Sequence, residues 1–180
     1  MRKITSGLFM SLDGVVESPE KWHLEYFNDE MGAAVGAASA AADTLLLGRV
    51  TYEIFASYWA DKGGDGGLGD YFNNTPKLVA SRTLESVEWS GSKLIRGNVA
   101  EELTRLKQGE GKNIAITGSV TLVRSLLRDG VLDELELLVH PVVLGSGDKL
   151  FPEGFEKLPL KLARSAAFTT GVVSLVYQPA

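Results

Sequence analysis

The sequence predicts one α/β domain over residues 1–180, with a mixed, mainly parallel sheet that closes on a C-terminal antiparallel hairpin. Three observations carry that expectation. Short apolar runs of strand length (Ile4–Leu12, Thr44–Leu47, Lys77–Ala80, Ile114–Ile116) alternate with longer stretches of helical spacing. Between Asn113 and Phe151 a strand, a glycine turn, a helix and a returning strand succeed one another as a βαβ unit. Near the C-terminus, Lys161–Phe168 and Val172–Tyr177 flank Thr169-Thr170-Gly171, a hairpin signal.

Taken in order, Ile4 to Leu12 is the first strand, closed by Asp13-Gly14, and Val15 to Trp22 is a loop containing Ser18-Pro19. Helical spacing from Leu24 to Ala42 sets Phe27, Met31, Ala34, Val35 and Ala38 near one face. Its Gly32, Ala33, Gly36 and Ala37 imply close packing on a sheet, because glycine otherwise weakens a helix interior. Thr44–Leu47 is a second buried strand ending at Gly48. In Arg49–Trp59, Val50, Ile54 and Tyr58 recur at i, i+4 and i+8, which predicts an amphipathic helix with these on its apolar side. The stretch Lys62–Asp70 holds five glycines and is expected to be a mobile surface loop.

Lys77–Ala80 is a third strand and Leu94-Ile95 a short fourth. Asn98 caps a helix with Glu101 three residues on, Val99, Leu103 and Leu106 mark its buried side, and Gly109 ends it. Ser119 is placed to cap the next helix, whose Leu122, Val123, Leu126 and Leu127 share a face, and Gly130 takes the left-handed position after it. Leu135, Leu137 and Val139 then alternate with Glu134 and Glu136 at strand spacing.

Bulk chemistry narrows the functional classes. Hydrophobic content of 44% with 23% charged residues fits a soluble globular protein. A net charge of −5 without a Lys/Arg cluster argues against a nucleic-acid partner. The absence of cysteine removes thiolate metal sites and cysteine nucleophiles and fits a cytoplasmic location, and no membrane span or signal peptide is read at the start of the chain. His23 and His140 stand apart in the sequence with no ligand-spaced partners, so no metal site is expected. No G-x-G-x-x-G, phosphate-binding P-loop or nucleophile elbow is present.

What remains is a pattern shared by three joins: Leu47-Gly48-Arg49-Val50-Thr51, Ala80-Ser81-Arg82-Thr83 and Ile116-Thr117-Gly118-Ser119-Val120-Thr121. Each puts small or hydroxylated residues, and twice an arginine, just past the C-terminal end of a buried strand, where open α/β sheets bind ligands. Backbone N–H groups at such turns suit a pyrophosphate, and guanidinium groups suit a further phosphate. Equally, each join alone is compatible with a mere tight connection and a solvated arginine. Asp13, Glu17, His23 and Glu25 gather in the sequence around the first loop and could include an acid.

The combination Met10-Ser11-Leu12-Asp13-Gly14, Leu47-Gly48-Arg49-Val50-Thr51-Tyr52-Glu53, Ser81-Arg82 and Thr117-Gly118-Ser119 resembles the dihydrofolate reductase-like superfamily. Leu126–Leu135, continued by His140–Gly147 and Leu150-Phe151, is most similar to the bacterial riboflavin-biosynthesis reductase (RibD C-terminal) domain, and the likeness runs from residue 3 to about 177. The resemblance implies a three-layer α/β/α fold, NADPH as hydride donor and a homodimer. It implies Gly48, Arg49, Thr51, Ser81 and Arg82 for the cofactor's adenosine phosphates, and Thr117, Gly118, Ser119 and Val120 along its pyrophosphate and nicotinamide. It places Asp13 between cofactor and substrate, with His23 and Glu25 near the acid of the folate-reducing branch. Three positions depart from the riboflavin branch: Thr117 replaces an acidic residue, Ser119 replaces a glycine, and Gly7 replaces a lysine.

The function these observations imply is hydride transfer to a small pterin-like, pyrimidine-like or carbonyl substrate, with protonation by water or by Asp13, His23 or Glu25. A nucleotide-binding module without turnover is the alternative.

Overall fold

The computed structural model describes residues 1–64 and 66–180, and Asp65, within the glycine-rich stretch, lies outside the described residues. Eight strands form one sheet: β1 (Ile4–Ser11), β2 (Ala42–Gly48), β3 (Lys77–Ala80), β4 (Ser92–Ile95), β5 (Asn113–Thr117), β6 (Glu134–His140), β7 (Leu160–Ala167) and β8 (Val173–Pro179). Their order across the sheet is β4-β3-β2-β5-β1-β6-β8-β7. Strands β1 to β6 are mutually parallel, and β8 runs antiparallel to β6 and β7. The parallel body and antiparallel end match the sequence expectation.

Helices cover both faces, which gives three layers. α1 (Asp29–Ala40), α2 (Arg49–Trp59) and α3 (Leu68–Asn74) lie on one side, while α4 (Val99–Lys107) and α5 (Val120–Arg128) lie on the other. Alternation along β1 sorts its side chains: Ile4 and Leu8 join Leu103, Val123 and Leu126 in the core beneath α4 and α5, and Phe9 packs with Met31 and Leu138 beneath α1. Over β2 and β3, Leu45, Leu47 and Val79 meet Tyr52 and Phe72 of α2 and α3. Full burial of each such aliphatic side chain contributes about 1.5–3 kcal/mol.

Four local expectations are corrected. The first helix starts at Asp29, not Leu24: Phe27 is extended, Asn28 Oδ1 accepts from Met31 N–H at 3.1 Å, and Leu24–Tyr26 is a separate 3-10 turn. The small residues of that helix do not press on the sheet, since Ala33, Gly36 and Ala37 are exposed. On α2 the inward side is Tyr52, Phe55, Ala56 and Trp59, while Val50, Ile54 and Tyr58 are 56%, 59% and 55% exposed. Both series recur at helical spacing, and the larger aromatic surface takes the core. Within the stretch expected to be a loop, Leu68 already begins α3, and the Asp70 carboxylate accepts from the N–H groups of Gly64 and Gly66 at 2.7 and 2.6 Å.

Two predicted helix ends hold. Asn98 Oδ1 accepts from Ala100 and Glu101 N–H at the start of α4, and Gly130, at φ 66°, follows α5. Lys77, 1% exposed at the start of β3, donates to the carbonyls of Phe72 and Thr75 at 2.7 and 2.8 Å and so ties off the end of α3.

Candidate functional site

The C-terminal ends of β2 and β5 are locked together. Gly48 N–H donates to Ser119 Oγ at 2.7 Å. Ser119 Oγ–H and N–H both reach Thr51 Oγ1, at 2.8 and 3.1 Å. The starts of α2 and α5 therefore stand side by side, presenting backbone N–H groups along one edge. The residue types follow from the closeness. A Cβ on Gly48 would sit 3.0 Å from Ser119 Oγ, and one on Gly118, at φ 63°, would sit 3.1 Å from Thr51. Ser119 thus occupies the cap position of α5 at φ 55° but does not cap it with its side chain, because its hydroxyl serves the neighbouring join instead. Thr117 and Val120 flank this pair and are half-buried.

The third join lies beside a groove of roughly 320 Å³ at the ends of β3 and β4, lined by Ser81, Arg82, Gly97, Asn98, Leu122 and Ser125. Ser81 is buried and its Oγ accepts from Thr83 and Leu84 N–H, which shapes the turn. Arg82 is exposed and makes no hydrogen bond or ion pair among the described residues. Arg49 differs, since its guanidinium pairs with Glu53 one turn on, at 2.9 Å. An edge of exposed N–H groups, a groove and a free guanidinium can receive an extended, multiply phosphorylated ligand. The glycines leave room for its backbone-close passage, so a dinucleotide fits the residues present.

The expected acids are not gathered in the same way. Asp13 bridges loops: Oδ1 accepts from Ser11 Oγ–H at 2.7 Å and Leu144 N–H at 3.1 Å, and Oδ2 from Gly145 N–H at 2.9 Å. The Ser11 hydroxyl first, then the two backbone N–H groups, pull its pKa down to about 2, so it carries no proton at neutral pH. Glu25 is exposed on the 3-10 turn. His23 is buried, stacked on Phe9 with ring centroids 4.2 Å apart.

His23 has a partner that sequence separation hid. His140, at the end of β6, lies 6.1 Å away between ring centroids, and Trp22, Tyr26 and Phe9 stand edge-on to it. His140 Nδ1–H donates to Leu138 O at 2.8 Å, which leaves Nε2 as a bare acceptor. Neither His140 Nε2 nor His23 Nδ1 has a hydrogen-bond partner. Burial lowers the pKa of both, and the neighbouring His140 lowers that of His23 further.

Helices on both faces of a sheet of this strand order give the dihydrofolate reductase-like fold. The dihydrofolate reductase of Enterococcus faecalis, solved with NADP(H), superposes with a TM-score of 0.65 at 15% identity, over 98% of this chain and 96% of that one. Within that class the chain belongs to the RibD C-terminal domain family, whose pattern matches residues 2–174. It is 30% identical to the uncharacterized protein YyaP of Bacillus subtilis (strain 168) over 182 aligned residues, 98% of this chain and 94% of that protein. The structure of a candidate riboflavin biosynthesis protein from Shewanella sp. PV-4 superposes with a TM-score of 0.78 at 21% identity, covering 99% of both chains.

Proposed function

We propose that the protein is an NADPH-dependent reductase of a small heteroaromatic or carbonyl compound. The observation that carries this is the Gly48–Ser119–Thr51 lock, which sets two helix starts side by side next to the groove at Arg82. Family membership and the NADP(H) of the E. faecalis relative support the cofactor. Gly48, Thr51, Thr117, Gly118, Ser119 and Val120 would hold the pyrophosphate and nicotinamide, and Ser81, Arg82 and Arg49 the adenosine phosphates. A bound NADPH supplies hydride; the protein's residues orient it, and exclude water from it.

Asp13 serves as a latch between the β1 end and the Leu144-Gly145 turn in this reading, not as an acid. Protonation falls to solvent or to His23, and Glu25 stands exposed on its 3-10 turn. The chain acts in the cytoplasm as a homodimer, with Val50, Ile54 and Tyr58 of α2 and both faces of the edge strand β7 as exposed surface for a second copy.

A second reading, binding of NADP(H) without turnover, is favoured by the ionised state of Asp13 and by Thr117 in place of an acid. Fluorescence titration with NADPH separates the cases. Binding is expected in the micromolar range, and none at high micromolar concentration would sink both. Oxidation of bound NADPH by any member of a panel of pterins, aminopyrimidines and aldehydes removes the second reading.

A further inference from the structure

Two buried ring nitrogens near the C-terminal end of β1 lack a hydrogen that one proton would supply. His140 is 0% exposed and its Nδ1–H is committed to the Leu138 carbonyl at 2.8 Å, so its Nε2 keeps only a lone pair. His23 Nδ1 is buried too, and neither nitrogen has a hydrogen-bond partner. The two rings lie 6.1 Å apart between centroids, at 89° to one another. Their surroundings are aromatic: Phe9, Trp22 and Tyr26 stand against His140, and Phe9 and Phe27 against His23. Trp22 Nε1–H, the indole donor of that wall, is spent on the Glu17 carbonyl at 3.0 Å.

Burial keeps both rings neutral at neutral pH. It outweighs Glu20, which acts the other way on His23, and the carbonyls of Leu138 and Met10, which act the other way on His140. A neutral His23 has one N–H to place. On Nε2 it leaves two unmatched lone pairs buried together, which is costly. On Nδ1 it gives the lone pair of His140 Nε2 a donor, through a contact of the kind that is long in an unliganded site and tightens when the site fills. His23 Nε2 is then the acceptor. It is not among the buried unmatched atoms and has no partner among the described residues, so it is the nitrogen that solvent or a ligand reaches. In open α/β sheets ligands bind at the C-terminal strand ends, where Phe9 and His140 stand.

We propose that His140 is a positioning residue that fixes His23 as its Nδ1–H tautomer, so that His23 Nε2 takes a proton from water and delivers it to the substrate. The inference deepens the reductase reading and rests on it only for the destination of the proton. The substrate atom beside the one that accepts hydride bonds to the proton of His23 Nε2–H, and the N–H electrons stay on the ring. His23 returns to the neutral Nδ1–H form that His140 holds, and water restores the proton. Stacking on Phe9, with the rings 11° from parallel, keeps the imidazole in one plane through both states.

The experiment records long-range proton–nitrogen NMR spectra of the imidazoles at about pH 7.5, above the usual histidine range, on the untagged full chain, His140→Phe and His140→Gln. The chain has two histidines, and in the wild type both should show a protonated Nδ1 and a bare Nε2. An unconstrained histidine favours Nε2–H, so His23 should revert to that form in His140→Phe. His140→Gln, whose carboxamide oxygen accepts in place of Nε2, should restore Nδ1–H. With NADPH and a pterin, aminopyrimidine or aldehyde that the wild type reduces, His140→Phe should lower kcat by on the order of tenfold or more, part of what general acid catalysis supplies. KM should change little, and His140→Gln should recover most of the rate. A wild type with His23 as Nε2–H overturns the proposal by itself, whether or not the Phe variant folds. So does an Nδ1–H form that persists in His140→Phe, or one kcat for all three chains. A locked tautomer in a chain that neither binds NADPH nor reduces any of these compounds keeps the role of His140 and removes the reductase reading instead.

Discussion

At the Gly48–Ser119 edge the polar atoms are matched: the Gly48 N–H, the Ser119 hydroxyl and the Thr51 hydroxyl close on one another across 71 residues of chain. Over the end of β1 they are not. His23 Nδ1 and His140 Nε2 are buried among Phe9, Trp22 and Tyr26 with nothing to bond. The first arrangement is closed by its own hydrogen bonds. The second carries unmet capacity for protons, so the two should respond differently to substitution and to pH.

The largest expected effect is on the matched edge. Gly118→Val puts a β-branched residue at φ 63° and a Cβ within 3.1 Å of Thr51. Left-handed backbone and overpacking together should cost about 2–4 kcal/mol, read as a lower urea midpoint, with NADPH binding lost as well. Unchanged stability would mean that the two joins are not locked in solution.

Next in size is the contrast between the two arginines of that edge. Arg82→Ala should weaken NADPH binding by about 1.5–3 kcal/mol, the value of a hydrogen bond to a charged group, with less loss for NADH. Arg49→Ala should cost less, because Arg49 must first leave Glu53. Calorimetric titration of both variants decides it, and a larger loss at Arg49 would reverse the assignment of the groove.

The unmatched region is probed by acid. Both histidines have folded pKa values lowered below the usual 6.5. Above about pH 6.5 they are neutral in folded and unfolded chain alike, and their contribution is complete. Below it the unfolded chain binds protons that the folded chain refuses, so stability falls with pH until the lowered folded pKa is passed. Unfolding free energies from urea titrations between pH 7.5 and 5.5 should decline by up to about 1.4 kcal/mol per pH unit for each histidine. The double variant His23→Phe, His140→Phe should flatten that slope, and an equally steep profile would assign it elsewhere.

The same contrast explains what the sequence could convey. Gly48-Arg49, Ser81-Arg82 and Thr117-Gly118-Ser119 are contiguous and sit where strands end, so local spacing is enough to find them. The partnership of His23 with His140 depends on β1 lying beside β6, with Ser11 in register with His140, which no local pattern contains. The same holds for Asp13, whose role is set by N–H groups more than 130 residues away. Glu134 and Glu136 alternate with Leu135 and Leu137 in β6 as they would in an edge strand. Once the strand order places β6 between β1 and β8, partners for those carboxylates come from distant chain: Lys3 and Gln178 for Glu134, Ser174 for Glu136.

The smallest expected effect concerns α2, where periodicity could not choose between two faces. Tyr52, Phe55 and Trp59 face the core, and the Val50, Ile54 and Tyr58 stripe faces outward. In an isolated protomer, Ile54→Lys should change stability by no more than about 0.5 kcal/mol, as at other exposed positions. It should leave NADPH binding untouched, since Ile54 is 59% exposed and takes no part in the Gly48–Thr51 lock. If a second copy covers the stripe, the new charge is buried at that contact, and sedimentation velocity should show protomers where the wild type shows dimers. A dimer that persists with unaltered affinity moves the interface off α2, and the edge strand β7, exposed along nearly its whole length, becomes the surface to substitute.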